Sequence, residues 1–338
     1  MSDNFLLDSG FWGWLYKLLT PVEWLMTQVM YWFHKLLTLI GMPAVGLSWV
    51  LSIIFLVIVV QACVFPLFYK QMKSMRGMQA IQPKMMKIQN KYKGKNDPAS
   101  KEAMQREMMK LYKDNNANPA GSCLPMLIQG PVFMCMFYVL SAIPYIARGK
   151  RAPLGAFDVA TAQEFSSTTF FGTKVSDTFT TAGTSGKIVI GIFVFAMCAC
   201  LWYMQWNTMR RNTAPASMNK QTERMQKMML WIFPVMYIFS GVAMPFAVLV
   251  YWLANNICNL LRSFWQLHEF PTPGSPAAED KEKRDHDNEN KRRAAKGLPS
   301  IEEEKLIEAK QEAERKASQG HQRQQPQQLG GLEEGLAS

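Results

Sequence analysis

The chain has 338 residues, 49% of them hydrophobic, and a net charge of +11. Spread evenly, this composition would suit a soluble basic protein, but the apolar residues are concentrated in four long runs. A single soluble globular domain is therefore excluded. The four runs cover residues 44 to 69, 122 to 146, 187 to 206 and 228 to 262.

The apolar runs predict membrane-spanning helices. A helix needs about 20 apolar residues to cross a bilayer, so each of the first three runs predicts one span. The fourth run is longer and contains the sequence AMP at 243 to 245, so it predicts two. Lipid offers no hydrogen-bond partners to backbone groups, and all five spans should be helical. The predicted fold class is an all-α integral membrane protein.

Residues 20 to 40 form a further apolar segment ahead of the first run. Thr20 with Glu23 three residues later matches a capping box, and Pro21 suits the first helical turn, so a helix is predicted to start here. Polar residues such as His34 recur at helical spacing opposite an apolar face. This pattern favours an amphipathic helix in the outer membrane interface. A sixth span, which would place the N-terminus in the cytoplasm, stays open as the alternative.

The segment from 70 to 118 predicts a cytoplasmic helical hairpin. Apolar residues fall every three or four positions from Gln71 to Tyr92, as on one face of a helix. The sequence GKND then interrupts this helix, and Asp97 followed by Pro98 predicts the start of a second one. The two arms are expected to pack antiparallel.

Methionine is frequent in and beside this hairpin, with eleven residues between positions 72 and 136. Flexible thioether side chains suit a surface that accepts varied apolar partners. The same side chains would also serve simply to hold the two arms together, and the pattern does not decide between these uses. The methionines singled out on the hairpin are Met75, Met78, Met85, Met104 and Met108.

The distribution of charge predicts the orientation of the spans. Residues 70 to 118 hold 12 Lys or Arg and four acidic residues, and residues 207 to 227 hold five and one. Residues 147 to 186 hold four and three, in a segment rich in Ser, Thr and Gly. Because basic loops stay in the cytoplasm, we expect the first two segments and the C-terminus inside. The segment from 147 to 186 and the N-terminus are then expected outside.

These signals divide the chain into ten segments. In order, they are an extracytoplasmic interfacial helix (1 to 43), the first span (44 to 69), the cytoplasmic hairpin (70 to 118), the second span (119 to 146), an extracytoplasmic loop (147 to 186), the third span (187 to 206), a cytoplasmic loop (207 to 227), the fourth span (228 to 243), the fifth span (244 to 268) and a charged cytoplasmic tail (269 to 338). Within the tail, Ser300 with Glu303 predicts a helix start. The Gln- and Gly-rich end of the tail predicts disorder.

Six amide side chains lie within the four apolar runs, and no Asp or Glu accompanies them. An unpaired buried amide costs about 1 to 3 kcal/mol, so these side chains should face one another or water rather than lipid. Each one alone is more typical of a hydrogen bond between packed helices. The six are Gln61, Gln129, Gln205, Asn255, Asn256 and Asn259.

The stretch NPAGSCLPMLIQGPVFMCMFYVLSAIP at 118 to 144 resembles the signature at the second core span of YidC-family membrane protein insertases. Two further blocks agree in order, FPLFYKQMKSMRGMQAIQPKM before it and FPVMYIFSGVAMPFAVLVYWLANNICNLLRSFWQ after it. The resemblance covers roughly residues 20 to 268. It is closest to the short five-span bacterial type, without a large extracytoplasmic domain.

The resemblance implies a membrane protein insertase and chaperone. Members of this family move hydrophobic segments of nascent proteins from the cytoplasm into the bilayer through a hydrated groove, alone or with the Sec translocon, and without ATP or covalent chemistry. No cofactor is expected, and no metal, since the six cysteines lie in or beside spans with no histidine cluster nearby. The implied partners are nascent membrane proteins, the lipid bilayer, the Sec translocon and the ribosome, and the implied location is the bacterial cell membrane.

The implied groove supplies a shared role for the polar residues of the spans. The residues assigned to its lining are Gln61, Gln129, Gln205, Tyr251, Trp252, Asn255, Asn256 and Asn259. The hairpin methionines named above would contact clients. Such a hydrated groove would act by solvation and shorten the dry path of a client's polar segment across the bilayer.

One groove position departs from the family pattern, because the arginine of the family's first span corresponds to Gln61 here. The resemblance therefore predicts that arginine is tolerated at position 61. Positive charge is expected instead from the cytoplasmic mouth of the groove. The candidates there are Lys70, Lys73, Arg76, Arg210 and Arg211.

Two other classes of function compete with this interpretation. A transporter or channel usually shows intramembrane ionisable residues and repeated halves, and neither feature is apparent in this sequence. A scaffolding subunit of a larger complex would not need polar residues on several spans, but the sequence does not exclude it.

Overall fold

The computed structural model describes residues 10 to 95, 97 to 115, 117, 124 to 215, 218 and 220 to 316. The described residues are mainly helical, with one two-stranded hairpin, which confirms the all-α class. In order, the elements are α1 (Gly10–Leu39), α2 (Leu47–Lys91), α3 (Pro98–Asp114), α4 (Leu124–Ala147), α5 (Val159–Ser167), β1 (Thr169–Phe170), β2 (Thr173–Lys174), α6 (Thr184–Arg211), α7 (Lys220–Ala243), α8 (Phe246–Glu269) and α9 (Pro276–Ala295). Residues 301 to 316 form a last helix, α10.

Within the described part of the chain, four helices are long and apolar enough to cross a membrane. They are Leu47–Lys91, Gln129–Ala147, Thr184–Arg211 and Glu223–Ala243. They correspond to the first four predicted spans. Helix α8 has 24 residues, which corresponds to about 36 Å at a rise of 1.5 Å per residue, but its asparagines and an arginine lower its apolar character. The fifth span therefore stays a prediction.

The first span and the first hairpin arm form one continuous helix. Helix α2 runs for 45 residues from Leu47 and includes Pro66 and Pro83. The second arm, α3, begins where predicted, because the Asp97 side chain accepts a hydrogen bond from the Ser100 backbone N–H at 2.8 Å. This bond holds the pKa of Asp97 below its usual value.

The two hairpin arms touch near the turn between them. The Tyr92 hydroxyl of the loop donates to Glu107 of α3 at 2.9 Å, and Lys91 forms an ion pair with the same carboxylate. The Lys91 contact lowers the pKa of Glu107. Helix α3 has no buried residue, so the arms are in contact without forming a closed core.

Helix α1 differs from the predicted interfacial helix in its start and in the direction of its polar face. It is helical from Gly10 and continues through Pro21, and the Thr20 hydroxyl donates to the Tyr16 carbonyl at 3.1 Å within the helix. The prediction of Thr20 as N-cap is therefore wrong. A proline in the first turn and a proline inside a longer helix give the same short sequence pattern.

Three polar residues of α1 face the protein rather than water. Glu23, Thr27 and His34 are all buried, whereas Trp32 and Leu36 are exposed. The His34 ring stacks on Trp49 of α2 with 3.8 Å between centroids. His34 Nε2 also lies 3.0 Å from Glu164 of α5. The apolar face of α1 is thus turned outward, which suits lipid.

The tightest packing of the bundle lies at one end. Trp49 of α2, Ile143 of α4 and Phe246 of α8 are all fully buried there. The loop before α6 binds the first turn of α8, since the backbone N–H groups of Phe246 and Ala247 donate to carbonyls of that loop at 2.7 and 2.8 Å. From Leu253 onward, α8 is mostly half-buried or exposed. The bundle is therefore closed at the end that holds the loop and more open toward the hairpin.

The chain divides after Ala278 into two compact units. In the second unit, the backbone N–H of Ser300 donates to Glu303 at 2.8 Å, and the backbone N–H of Glu303 donates to the Ser300 hydroxyl at 3.2 Å. This reciprocal pair confirms the predicted capping box at the start of α10. Helix α9 was not predicted. The predicted disordered end of the tail lies outside the described residues.

Candidate functional site

A hydrogen-bonded network joins α2 to α8. Gln61 donates through Nε2 to Asn255 Oδ1 at 2.5 Å. Arg262 Nη1 donates to Gln61 Oε1 at 3.3 Å, and Arg262 Nη2 donates to Asn259 Oδ1 at 2.7 Å. We call these four residues the α2–α8 network. Both ends of the Gln61 amide are used within it, so Gln61 makes the interhelical bonds that a lone amide in a span usually makes.

Arg262 is the cation of this network, and sequence analysis missed it. Its guanidinium carbon also lies 3.7 Å from the ring centroid of Phe68, and the side chain is half-buried. The sequence contains a signal for it. Arg262 follows Asn259 by three residues and so lies one helical turn further along the same face.

The positive charge beside Gln61 therefore comes from α8. The five residues proposed for the cytoplasmic mouth are all exposed; they are Lys70, Lys73, Arg76, Arg210 and Arg211. Arg210 is placed over the Trp206 ring at 4.8 Å. None of the five takes part in the α2–α8 network. They remain candidates for contacts at the cytoplasmic surface.

Two cavities lie on adjacent faces of α8. The first, which we call the seam cavity, is about 380 Å³ in volume and lies between α2 and α8; its lining is Gln61, Ala62, Phe65, Cys258, Leu261, Arg262 and Trp265. The second, the interior cavity, is about 520 Å³ and lies among α4, α6, α7 and α8. Its lining is Gln129, Phe133, Phe137, Leu201, Phe233, Met236, Tyr237, Ser240, Met244, Trp252, Asn255, Asn256 and Asn259.

The interior cavity is lined by hydrogen-bond donors that lack acceptors. Gln129 Nε2 and Trp252 Nε1 are buried and have no hydrogen-bond partner among the described residues. A buried donor left unpaired costs about 1 to 3 kcal/mol, and a cavity of this size has room for water or for an acceptor on a guest molecule. The arrangement can therefore solvate polar groups inside an apolar bundle.

The structure brings most of the predicted lining residues together, but not all. Five of the eight line the interior cavity, and Gln61 lines the seam cavity. Gln205 lies apart in a cavity of about 290 Å³ between α6 and α7. Tyr251 is buried in the core and lines neither the seam nor the interior cavity. The five hairpin methionines are half-buried, so their side chains are partly open to contact.

No group of three or more His, Cys, Asp or Glu among the described residues is arranged to hold a metal ion. The chemical capacity of the site is solvation and hydrogen bonding by neutral amides, an indole and one guanidinium. These groups bind acceptors and carry one positive charge.

The helices suit a bilayer, and a polar cavity lies among them. Together these two features define a multi-pass helical membrane protein with a solvating interior site. The profile of the family described as 60Kd inner membrane protein matches residues 40 to 272, more than half of the chain. The chain belongs to this family.

Several relatives support the assignment, and each is named membrane protein insertase YidC. The relative from Bifidobacterium longum is 72% identical over 96% of this chain and 97% of its own length. The relative from Streptomyces avermitilis is 35% identical over 76% of this chain and 59% of its own length. The relative from Tropheryma whipplei is 32% identical over 82% and 92%.

A solved structure is also similar. A crystal structure of an active YidC insertase with its first transmembrane domain resolved has a TM-score of 0.44 and 22% identity. The match covers 78% of this chain and 47% of that one, so this chain spans about half of its length. At this level of similarity the match adds nothing to the family assignment.

Proposed function

We propose that this chain is a membrane protein insertase and chaperone, which moves hydrophobic segments of nascent proteins from the cytoplasm into the bilayer. The name carried by the relatives supports the activity. The observation that carries the mechanism is the interior cavity, where Gln129 and Trp252 present unpaired donors within an apolar bundle.

Such a cavity would act by solvation. Moving a polar segment of a client across the bilayer costs the most free energy at the dry centre. Water and amide groups in the interior cavity would shorten that dry path, while the apolar segment of the client leaves sideways into lipid. The exposed apolar side chains of α7, among them Trp231, Phe233 and Phe239, suit a lipid-facing exit. No bond is made or broken in this process.

The hairpin of α2 and α3 is the proposed receiving surface for clients. It carries a net charge of +8, from 12 basic and four acidic residues, and its methionines are half-buried. A loosely packed pair of arms with adaptable side chains suits many apolar sequences. The alternative, that the methionines only join the arms, is tested together with the function.

Depletion of this chain from its cells should block the membrane insertion of newly made single-span proteins. Supplying the full chain should restore insertion, and supplying a variant that lacks residues 78 to 110 should restore it only weakly. The measurement is protease protection of radiolabelled clients, with circular dichroism to show that the shortened variant keeps its helices. Normal insertion without the chain would indicate a scaffold or transporter instead. Normal insertion by the shortened variant would exclude the receiving role of the hairpin.

We also propose an orientation in the bacterial cell membrane, with the N-terminus outside and the C-terminus in the cytoplasm. The charge asymmetry of the loops supports it, and it requires α8 to be a fifth span. A reporter that is active only in the cytoplasm should be active when fused after Ala277 and inactive when fused after Pro153. Activity at Pro153 would reverse the proposed orientation.

Two further partners are proposed from the resemblance. The Sec translocon would act beside this chain for some clients, and the ribosome would contact the basic hairpin and the loop at 207 to 227, which carry net charges of +8 and +4. Liposomes that contain only this chain distinguish insertion by this chain alone from insertion with the translocon. Clients that still insert into such liposomes do not need the translocon. Ribosome binding that is unchanged by neutralising the basic residues of the hairpin would exclude that contact.

A further inference from the structure

Arg262 retains hydrogen-bonding capacity that the described residues of the chain do not use. A guanidinium carries five N–H donors, and the structure pairs two of them, with the neutral amide oxygens of Gln61 and Asn259. No carboxylate of the described residues forms an ion pair with Arg262. A half-buried cation in a membrane without a counter-charge is costly. The guanidinium is therefore open to an anion from a source other than the described residues.

The seam cavity beside Arg262 is walled by apolar side chains on the outer surface of the bundle. Phe65 and Leu261 are 41% and 62% exposed, and they share this surface with Ile58 and Ile257, which are also exposed. In a membrane, lipid chains cover such a surface. An anion that reaches Arg262 by this route arrives from the lipid side.

The depth of Arg262 suits a lipid headgroup. Tyr69, Trp265 and Phe270 form an aromatic cluster, with Trp265 and Phe270 centroids 5.6 Å apart and Tyr69 and Phe270 centroids 5.4 Å apart. Aromatic clusters of this kind mark the membrane–water boundary. Arg262 precedes Trp265 by three residues, which is about 4.5 Å along the helix. An arginine side chain extends that far toward the boundary.

We infer that the seam cavity binds the headgroup phosphate of an anionic phospholipid, with Arg262 as the anion contact. The acyl chains lie against Phe65 and Leu261, and the guanidinium fork binds phosphate oxygens. An acidic segment of a client is the competing occupant. The lipid is favoured because the seam cavity faces outward, on a different face of α8 from the interior cavity, and because lipid is present at that surface at all times. The inference does not depend on the insertase activity.

Native mass spectrometry of the full chain in mild detergent tests this site. Phosphatidylglycerol is titrated against phosphatidylcholine with the wild type, Arg262→Gln, Ala62→Trp and Arg76→Gln. Ala62→Trp fills the seam cavity and leaves the arginine in place, whereas Arg76→Gln removes an exposed arginine from the same chain as a matched control. Thermal stability of each variant shows whether it folds.

We expect the wild type to retain phosphatidylglycerol with about a tenfold preference over phosphatidylcholine, as one charge-assisted contact would supply. Arg262→Gln and Ala62→Trp should each lose the preference, and Arg76→Gln should keep it. The proposal is overturned if Arg262→Gln keeps the preference, or if millimolar inorganic phosphate displaces the lipid fully. It is also overturned if the variants bind lipid as the wild type does while Arg262→Gln loses cross-linking to an acidic client, since Arg262 would then contact clients.

Discussion

Arginine at position 61 is expected to impair insertion severely, and a second substitution, Arg262→Gln, is expected to restore it. Gln61 Oε1 lies 3.3 Å from Arg262 Nη1, so Gln61→Arg would bring two guanidinium groups together. Two unit charges about 4 Å apart repel by about 4 kcal/mol at an effective dielectric constant of 20. The presence of Arg262 thus reverses the expectation, drawn from the resemblance alone, that arginine at 61 is tolerated. The double substitution exchanges the charge between α2 and α8 and removes the repulsion.

A double-mutant cycle measures this coupling. The client insertion rate and the thermal stability are measured for the wild type, Gln61→Arg, Arg262→Gln and the double variant. Gln61→Leu is the control for lost hydrogen bonds without added charge; it leaves Asn255 and Arg262 with one partner fewer each and should cost about 1 to 3 kcal/mol of stability. Additive effects of the two single substitutions in the double variant would show that residues 61 and 262 do not interact.

The long apolar segments were the readily predictable part of the fold. A run of about 20 apolar residues has few alternatives to a spanning helix, and four such helices lie where the runs predicted them. The start of α3 was equally predictable from sequence, because the aspartate matches a helix N-cap and the proline after it matches the first helical turn. These signals are local, so they do not depend on what packs around them.

The direction of a polar face was not predictable from spacing. Glu23 and His34 recur at helical spacing on α1, and the pattern is the same whether that face meets water or protein. In the structure both residues are buried. His34 meets Trp49 and Glu164, which are distant in sequence. Periodicity identifies a face, but only the tertiary contacts identify what it faces.

Helix α9 was not predicted, for a reason other than the direction of a polar face. Its sequence, PAAEDKEKRDHDNENKRRAA, has no apolar stripe. Local charge pairs accompany the helix instead, as between Arg293 and Glu289 one turn apart at 3.6 Å.

The candidate site was predictable only in part, because its geometry depends on tertiary packing. Amides were found by residue type, but their division between two cavities on α8 depends on how α2, α4 and α7 pack around it.

Filling the interior cavity should stop client insertion without unfolding the protein. Ser240 lines this cavity, and its hydroxyl donates to the Met236 carbonyl of its own helix at 2.8 Å, with no other partner among the described residues. Ser240→Trp would place a large apolar side chain among the unpaired donors and exclude the water that solvates polar client groups. Leaving one such group unsolvated costs about 1 to 3 kcal/mol. Insertion of clients with polar translocated segments should therefore fall about tenfold or more.

Ser240→Ala is the matched control for this prediction, because it removes the same hydroxyl without adding volume and should insert clients at the wild-type rate. The measurement is protease protection of two clients in liposomes, one with a charged translocated segment and one with a short apolar segment. Solvation by the interior cavity predicts that Ser240→Trp affects the charged client far more than the apolar one. Equal loss with both clients would point to a general packing defect between α6 and α7. Full activity of a folded Ser240→Trp variant would show that clients do not use the interior cavity.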